Sequence, residues 1–240
     1  MADKSALIKY GLLEENEKWK TTSKAKGLFK QLSPEDQLVL QLVKKEYNKM
    51  LGKKLVKSLY LQHPYYAINS EIAADILSAA EMKLVTAQIP TDSAPHFFTI
   101  GYEGISLEEY LNKLIKENVK VLCDVRKNAL SQKFGFSKNQ LSTACWKVGI
   151  TYLHMPELGI SSEYRQTLEK QDDYERLFEL YERKILPTQM DSLSKLKSLV
   201  EKHGRIAITC FEACEKQCHR GRVAIAIRNL PGWNIPIIHL

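Results

Sequence analysis

Residues 205–228 read RIAITCFEACEKQCHRGRVAIAIR, and the pattern of this stretch decides the fold. Arg205 to Cys210 is a short apolar run, Arg222 to Arg228 has a helical texture, and a polar loop joins them. A strand, a short loop and a helix in direct succession form the unit from which α/β proteins are built. The loop collects Cys210, Glu212, Cys214 and Cys218, and the helix starts at Cys218-His219-Arg220. Outward-pointing N–H groups at such a start favour anions and thiolates.

Outward from this stretch the alternation continues. Residues 97–101, 119–124, 150–154 and 235–240 read as further strands. Between them, Ser106-Leu-Glu-Glu109 is a capping box opening a helix to about 117, and Ser137-Lys-Asn-Gln140 opens one to about 148. Residues 172–186, 188–203 and 219–230 carry three more helical patterns. Strands separated by helices predict a mostly parallel, doubly wound sheet of about five strands, with helices on both faces.

In open α/β sheets, ligands bind beyond the carboxyl ends of the strands. Just past the predicted strands lie Tyr102-Glu103, Asp124-Val125-Arg126, Met155-Pro156-Glu157 and Cys210-Phe211-Glu212, with Cys218-His219-Arg220 close behind. Polar chemistry from separate segments is therefore expected to accumulate at one rim.

These rim segments also carry a likeness. Thr99-Ile-Gly-Tyr-Glu-Gly104, Asp124-Val-Arg126, Phe134-Gly-Phe-Ser-Lys138, Tyr152-Leu-His-Met-Pro-Glu-Leu-Gly159, and Cys210-Phe-Glu212 followed by Cys218-His219-Arg220 occur in that order. In this, residues 96–240 resemble the domain of unknown function 488 family. The resemblance implies a compact α/β domain whose characteristic polar residues are those just quoted, and it brings no assigned reaction. Cys214 departs from the family's pattern, so no role for it is implied.

Residues 1–93 differ in texture and predict a small, basic, all-helical domain ahead of the α/β domain at 96–240. They hold 14 Lys and no Arg against 11 acidic residues. Ser33-Pro34-Glu35-Asp36 has the cap, proline and acids of a helix start. After it, Leu38, Leu42, Val43, Tyr47 and Met50 mark one apolar face. Asn69-Ser70-Glu71 can open another helix over 72–84, and the Pro- and polar-rich residues 89–95 read as a linker. Lysines cluster at 18, 20, 24, 26 and 30 and again at 44, 45, 49, 53, 54 and 57, which permits contact with nucleic acid or another polyanion. Solvated helix faces give the same pattern.

A chain of 240 residues with 44% hydrophobic and 26% charged residues suits a globular protein with a sizeable core. No apolar run reaches the roughly 20 residues of a membrane helix. The polar start MADKSALIKY argues against a secretory signal. A cytoplasmic location without membrane contact is therefore expected. In a reducing compartment, Cys210, Cys214 and Cys218 within nine residues read as reactive thiols or metal ligands before disulfides.

Each rim residue has an expected role. Cys218 at a helix N-terminus beside His219 and Arg220 is the candidate nucleophile, with a lowered thiol pKa, and His219 is the candidate acid or base. Asp124 and Glu212 are candidate acid/base or orienting carboxylates. Arg126, Arg220 and Arg222 are candidate clamps for a phosphate-bearing ligand such as a nucleotide or nucleic-acid end. Tyr102, Glu103, Glu157 and Cys210 complete the candidate pocket. Structural alternatives exist: Asp124 and Arg126 suit a framework ion pair, and Cys210 suits core filling. A Cys/His-dependent hydrolase or transferase is the leading expectation. A non-catalytic nucleic-acid- or protein-binding module, with the α/β domain as sensor or scaffold, is the alternative. No cofactor is expected, since no Gly-rich nucleotide fingerprint is present. A metal held by Cys210, Cys214 and Cys218, with His219 as a possible fourth ligand, stands as a minority reading. Oligomeric state leaves no mark in the sequence.

Overall fold

The computed structural model describes residues 2–15, 19–161, 164 and 171–240. Lys18 of the first lysine cluster lies outside the described residues. Two compact units divide at Ile89 and Pro90.

The first unit runs α1 (Ala2–Lys9), β1 (Leu13–Glu15), β2 (Trp19–Thr21), α2 (Ser23–Phe29), α3 (Pro34–Tyr47), α4 (Lys53–Gln62), α5 (Ala73–Ile76) and α6 (Ala79–Thr86). The antiparallel β1–β2 pair adds a hairpin to the expected helices; three residues per strand are too few for periodicity to register. Helix α3 starts as its sequence predicts, with Ser33 Oγ accepting from Asp36 N at 3.1 Å. Its apolar face does not enter a core, however: Leu38 stays 57% and Leu42 54% exposed. The core of this unit is instead Ala67, Ala73, Leu77 and Val85, with Tyr60, Ile68, Ile76 and Met82 against it. The helix expected over 72–84 is interrupted where Leu77 turns extended. Ser78 then restarts it with a capping box to Glu81.

Glu81 also meets Lys57 at 2.8 Å. The Lys57 hydrogen bond, helped by the Ser78 backbone N–H, lowers the Glu81 pKa from 4.5 to about 2. A carboxylate depressed in the folded state stabilises fully above its unfolded pKa and loses that contribution as pH falls through the folded value. Acid unfolding of the whole chain between pH 4.5 and about 2 should therefore be blunted in Glu81→Gln, read by circular dichroism. Equal acid sensitivity in parent and variant would remove this pair from the account.

The second unit runs β3 (His96–Gly101), α7 (Leu107–Lys116), β4 (Val121–Asp124), α8 (Lys138–Lys147), β5 (Thr151–His154), α9 (Gln171–Leu180), α10 (Met190–His203), β6 (Arg205–Cys210), α11 (His219–Arg228) and β7 (Ile237–His239). The sheet order is β5-β4-β6-β3-β7, with all four pairings parallel. Every residue of β6, the central strand, is buried, as both-sided coverage requires.

Successive strand residues point to opposite faces, so each strand feeds two cores. Phe98, Ile100, Leu122 and Ala207 pack with Tyr110 and Leu114 of α7 and Leu141 and Cys145 of α8. Phe97, Val121, Cys123, Ile206 and Ile208 pack with Leu193, Leu196 and Val200 of α10 and Val223 and Ile227 of α11. Crossovers from β3 to β4 to β5 move one way across the sheet, and those from β5 to β6 to β7 move the other way. Keeping both sets right-handed puts their helices on opposite faces, which makes the sheet doubly wound. Strand β6 thus lies between β3 and β4, whose following helices cover the face opposite α11. A crevice opens at this reversal, beyond the strand ends.

Helix α7 has the expected capping box: Ser106 Oγ accepts from Glu109 N at 3.1 Å, and Glu109 Oε2 from Ser106 N at 2.8 Å. The second box does not form. Ser137 Oγ instead bridges the N–H and C=O of Ser131, while Gln140 accepts from Gly135 N. The cap residue is used to fold the preceding loop. No described helix is long and apolar enough to cross a membrane.

Candidate active site

Asp124 ends β4 fully buried, and its carboxylate takes four hydrogen bonds. Oδ1 accepts from Arg126 N (3.1 Å) and Nε (2.8 Å), and Oδ2 from Arg126 Nη2 and from Tyr152 OH (2.6 Å). Arg126 Nη1 donates to Tyr102 OH at 2.7 Å, and His154 Nε2 donates to the Arg126 carbonyl at 2.9 Å. Burial opposes the charge on Arg126, but the Asp124 hydrogen bond and charge outweigh it and raise the guanidinium pKa. The ion-pair alternative for these two residues is therefore what the geometry displays, with Tyr102 stacked on Phe136 (ring centroids 4.3 Å apart) to hold its third member.

The loop after β6 is clamped from both sides. Gly101 pairs with Cys210 across the sheet, and a Cβ on it would lie 1.9 Å from the Glu212 carbonyl oxygen. Only glycine lets the two backbones meet there. The N–H groups of Tyr102 and Glu103 both donate to the Phe211 carbonyl, at 3.0 and 2.9 Å. Glu103 Oε2 accepts from Ala213 N at 2.9 Å. From the other side, Arg220 donates Nη1 to the Glu212 carbonyl and Nη2 to the Ala213 carbonyl (2.7 Å).

Below the clamped loop, the start of α11 brings three groups together. His219 Nε2 donates to the Val125 carbonyl at 3.0 Å, since a carbonyl can only accept. With the proton on Nε2, the bare Nδ1 faces Cys210 Sγ at 3.5 Å. Cys210 Sγ also lies 3.3 Å from Glu212 Oε2. Burial works against the Glu212 charge, yet hydrogen bonds from Cys218, its own backbone and Cys210 hold its pKa below the ordinary value. Cys218 caps the helix but is fully buried. Burial pushes its thiol pKa well up, and the neighbouring Cys210 adds to the rise. The lowered thiol pKa expected of Cys218 from its place at a helix start is reversed, because the side chain is buried.

A cleft of about 420 Å³ opens over these groups. Tyr102, Arg126, Cys210, Glu212 and His219 line it, so pieces far apart in sequence meet as expected. Lys127, Asn128, Ser131, Gln132 and Ser161 line it too and were not anticipated. They directly follow Arg126 or the turn after β5, and reading a few residues further past each strand end would have found most of them.

Several expected pocket members lie elsewhere. Arg220 is buried, donates to the Glu212 and Ala213 carbonyls, and does not line the cleft. Arg222 pairs with Glu182 at 3.3 Å and covers Phe178, away from the cleft lining. Glu103 is exposed and braces Ala213, and Glu157 is exposed on a short 3-10 turn. Cys214 is exposed and does not join Cys210 and Cys218; His219 takes the third place in that cluster.

These burials predict thiol behaviour. Of the four thiols outside the cleft lining, Cys214 alone should react quickly with a bulky aromatic disulfide in the folded protein. Cys123 and Cys145, both pushed up to about 12 by burial, and Cys218 should wait for unfolding. One rapid equivalent should be lost in Cys214→Ser; its retention there would contradict the burial assignments.

A doubly wound parallel sheet with Cys210, His219 and Glu212 lining a cleft at its topological switch point defines a doubly wound α/β protein. Residues 106–227, about half of the chain, match the family described as Domain of unknown function DUF488, and the chain belongs to that family. Tyr102 and Glu103 precede the matched residues, and β7 follows them. No curated protein and no solved structure matches the chain.

Proposed function

We propose that the protein is a cysteine- and histidine-dependent hydrolase or transferase acting on a phosphate-bearing ligand, such as a nucleotide or nucleic-acid end, in the reducing cytoplasm. The observation that carries this reading is the single cleft joining Arg126 and Lys127 to Cys210, Glu212 and His219. A guanidinium has five N–H donors. Arg126 commits three side-chain bonds to Asp124 and Tyr102, which leaves two for a ligand. Asp124 offsets its charge, so the exposed Lys127 supplies the net positive charge at the cleft mouth. Helix α11, with His219 at its first turn, adds the positive end of its dipole. Cys210 and His219 form the reactive floor, and Asp124 orients Arg126 and contributes no proton chemistry of its own. Five free thiols, two of them adjacent in space, suit a reducing compartment.

The test is calorimetric binding of inorganic phosphate, mononucleotides and end-phosphorylated oligonucleotides, followed by an assay of whichever binds for turnover. Lys127→Ala should weaken binding by roughly tenfold, the worth of one charge-assisted hydrogen bond. Cys210→Ser should bind like the parent and lose turnover, and Cys214→Ser should match the parent in both. Unchanged affinity across the panel in Lys127→Ala and Gln132→Ala would end this reading.

A further inference from the structure

The floor of the cleft has the spacing of a cation site. The ligating atoms of Cys210, Cys218 and His219 all lie within 4.8 Å of one another, and all three residues are buried. Cys210 Sγ is 3.5 Å from His219 Nδ1 and 3.3 Å from Glu212 Oε2. A zinc-class ion binds thiolate at about 2.3 Å and imidazole or carboxylate at about 2.0–2.2 Å, in a tetrahedron. Two ligands at those lengths and that angle stand about 3.5 Å apart. The Cys210–His219 spacing matches that value, and Cys218 lies within 4.8 Å of both donors.

The chemistry of the donors agrees. His219 gives its Nε2 proton to the Val125 carbonyl at 3.0 Å, which leaves the Nδ1 lone pair directed at the sulfur. Hydrogen bonding of the second ring nitrogen to a carbonyl is the usual outer-shell partner of a ligating histidine. Rigid elements carry all three donors: Cys210 ends β6, Cys218 caps α11 and His219 is its first residue. Two sulfurs and an imidazole select a zinc-class ion over magnesium or calcium. Cys210, His219 and Glu212 also line the cleft, so the ion would be reached from solvent.

We propose that Cys210, Cys218 and His219 bind a zinc-class divalent ion, with the fourth position of the tetrahedron left to a ligand in the cleft. Binding releases one proton from each thiol to solvent, and no electrons move. The inference deepens the reading of the cleft as a reaction site by making Cys210 and His219 act as ligands of an ion that polarises a phosphoryl oxygen and activates a bound water, and it rests on that reading for the substrate. The ion itself stands independently of any substrate.

The test is titration of the full chain, stripped by chelator and refolded to its original near-ultraviolet circular dichroism, with cobalt(II). The visible bands of tetrahedral cobalt and a thiolate-to-cobalt charge-transfer band should appear and saturate at about one ion per chain. Zinc(II) should displace them. Cys218→Ser and Cys210→Ser should each weaken cobalt binding by at least tenfold, and Cys214→Ser should leave it unchanged. Protein with its original dichroism and no cobalt bands would overturn the proposal without needing any variant, as would bands that vanish only in Cys214→Ser. Loss of phosphate-ligand binding in Lys127→Ala with cobalt binding intact would show that the two readings are separable.

Discussion

Asp124→Ala should lower the unfolding free energy by about 3–5 kcal/mol, the cost of stranding one charge of a buried pair. Asp124 is fully buried and Arg126 only 5% exposed, so no solvent screens what remains. The substitution also leaves Tyr152 OH and the Arg126 backbone N–H without their acceptor. Urea unfolding followed by far-ultraviolet circular dichroism measures the loss. The double variant Asp124→Leu/Arg126→Met should be less damaged than Asp124→Ala, because an apolar pair leaves no orphaned charge. If the single variant loses less than about 1 kcal/mol, the value of an exposed pair, the buried network is not as described.

Gly101→Ala should cost about 3 kcal/mol or more, the upper end of the range for overpacking. Its new Cβ would meet the Glu212 carbonyl oxygen at 1.9 Å and the Ala213 Cα at 3.1 Å. Both are backbone atoms of a loop already held by Glu103 and Arg220, so neither has a rotamer in which to retreat. Relief requires shifting the loop that carries Cys210 and Glu212 into the cleft, and cobalt or ligand binding should fall with stability. Gly104→Ala is the control. It has a φ of +78° but nothing within 4 Å of its Cβ, so it should cost only about 1–2 kcal/mol of left-handed strain. Equal losses at the two positions would remove the special status of the Gly101 contact.

Much of the fold was legible because local signals agreed with the tertiary result. The run at 205–210 is β6 to the residue, and the Ser106–Glu109 box caps α7 as read. Legibility failed where local and tertiary demands diverge. The apolar face of α3 was legible but its exposure was not, because periodicity records only that one side of a helix is apolar, not that anything covers it. Ser137 had the form of a cap, yet the preceding loop claimed its hydroxyl.

The candidate site divides the same way. Strand ends in a parallel sheet share one rim by topology alone, so the meeting of Tyr102, Arg126, Cys210, Glu212 and His219 followed from the alternation of strands and helices. Which side chains face the cleft did not. Arg220 and Cys218 flank His219 in sequence, but the rotation of α11 sends both into the interior, where one holds carbonyls and the other sits beside Cys210.

The sequence by itself determined the element order of the second unit, its parallel sheet and the rim where polar groups collect, because these depend on periodicity and on the handedness of crossovers. Only the tertiary structure decided that Arg126 is locked by Asp124, that Arg220 holds a loop, and that His219 replaces Cys214 beside Cys210 and Cys218. Those outcomes depend on side-chain directions and on distances of a few ångströms among residues fewer than ten positions apart, and the spacing of residues along the chain carries no such information.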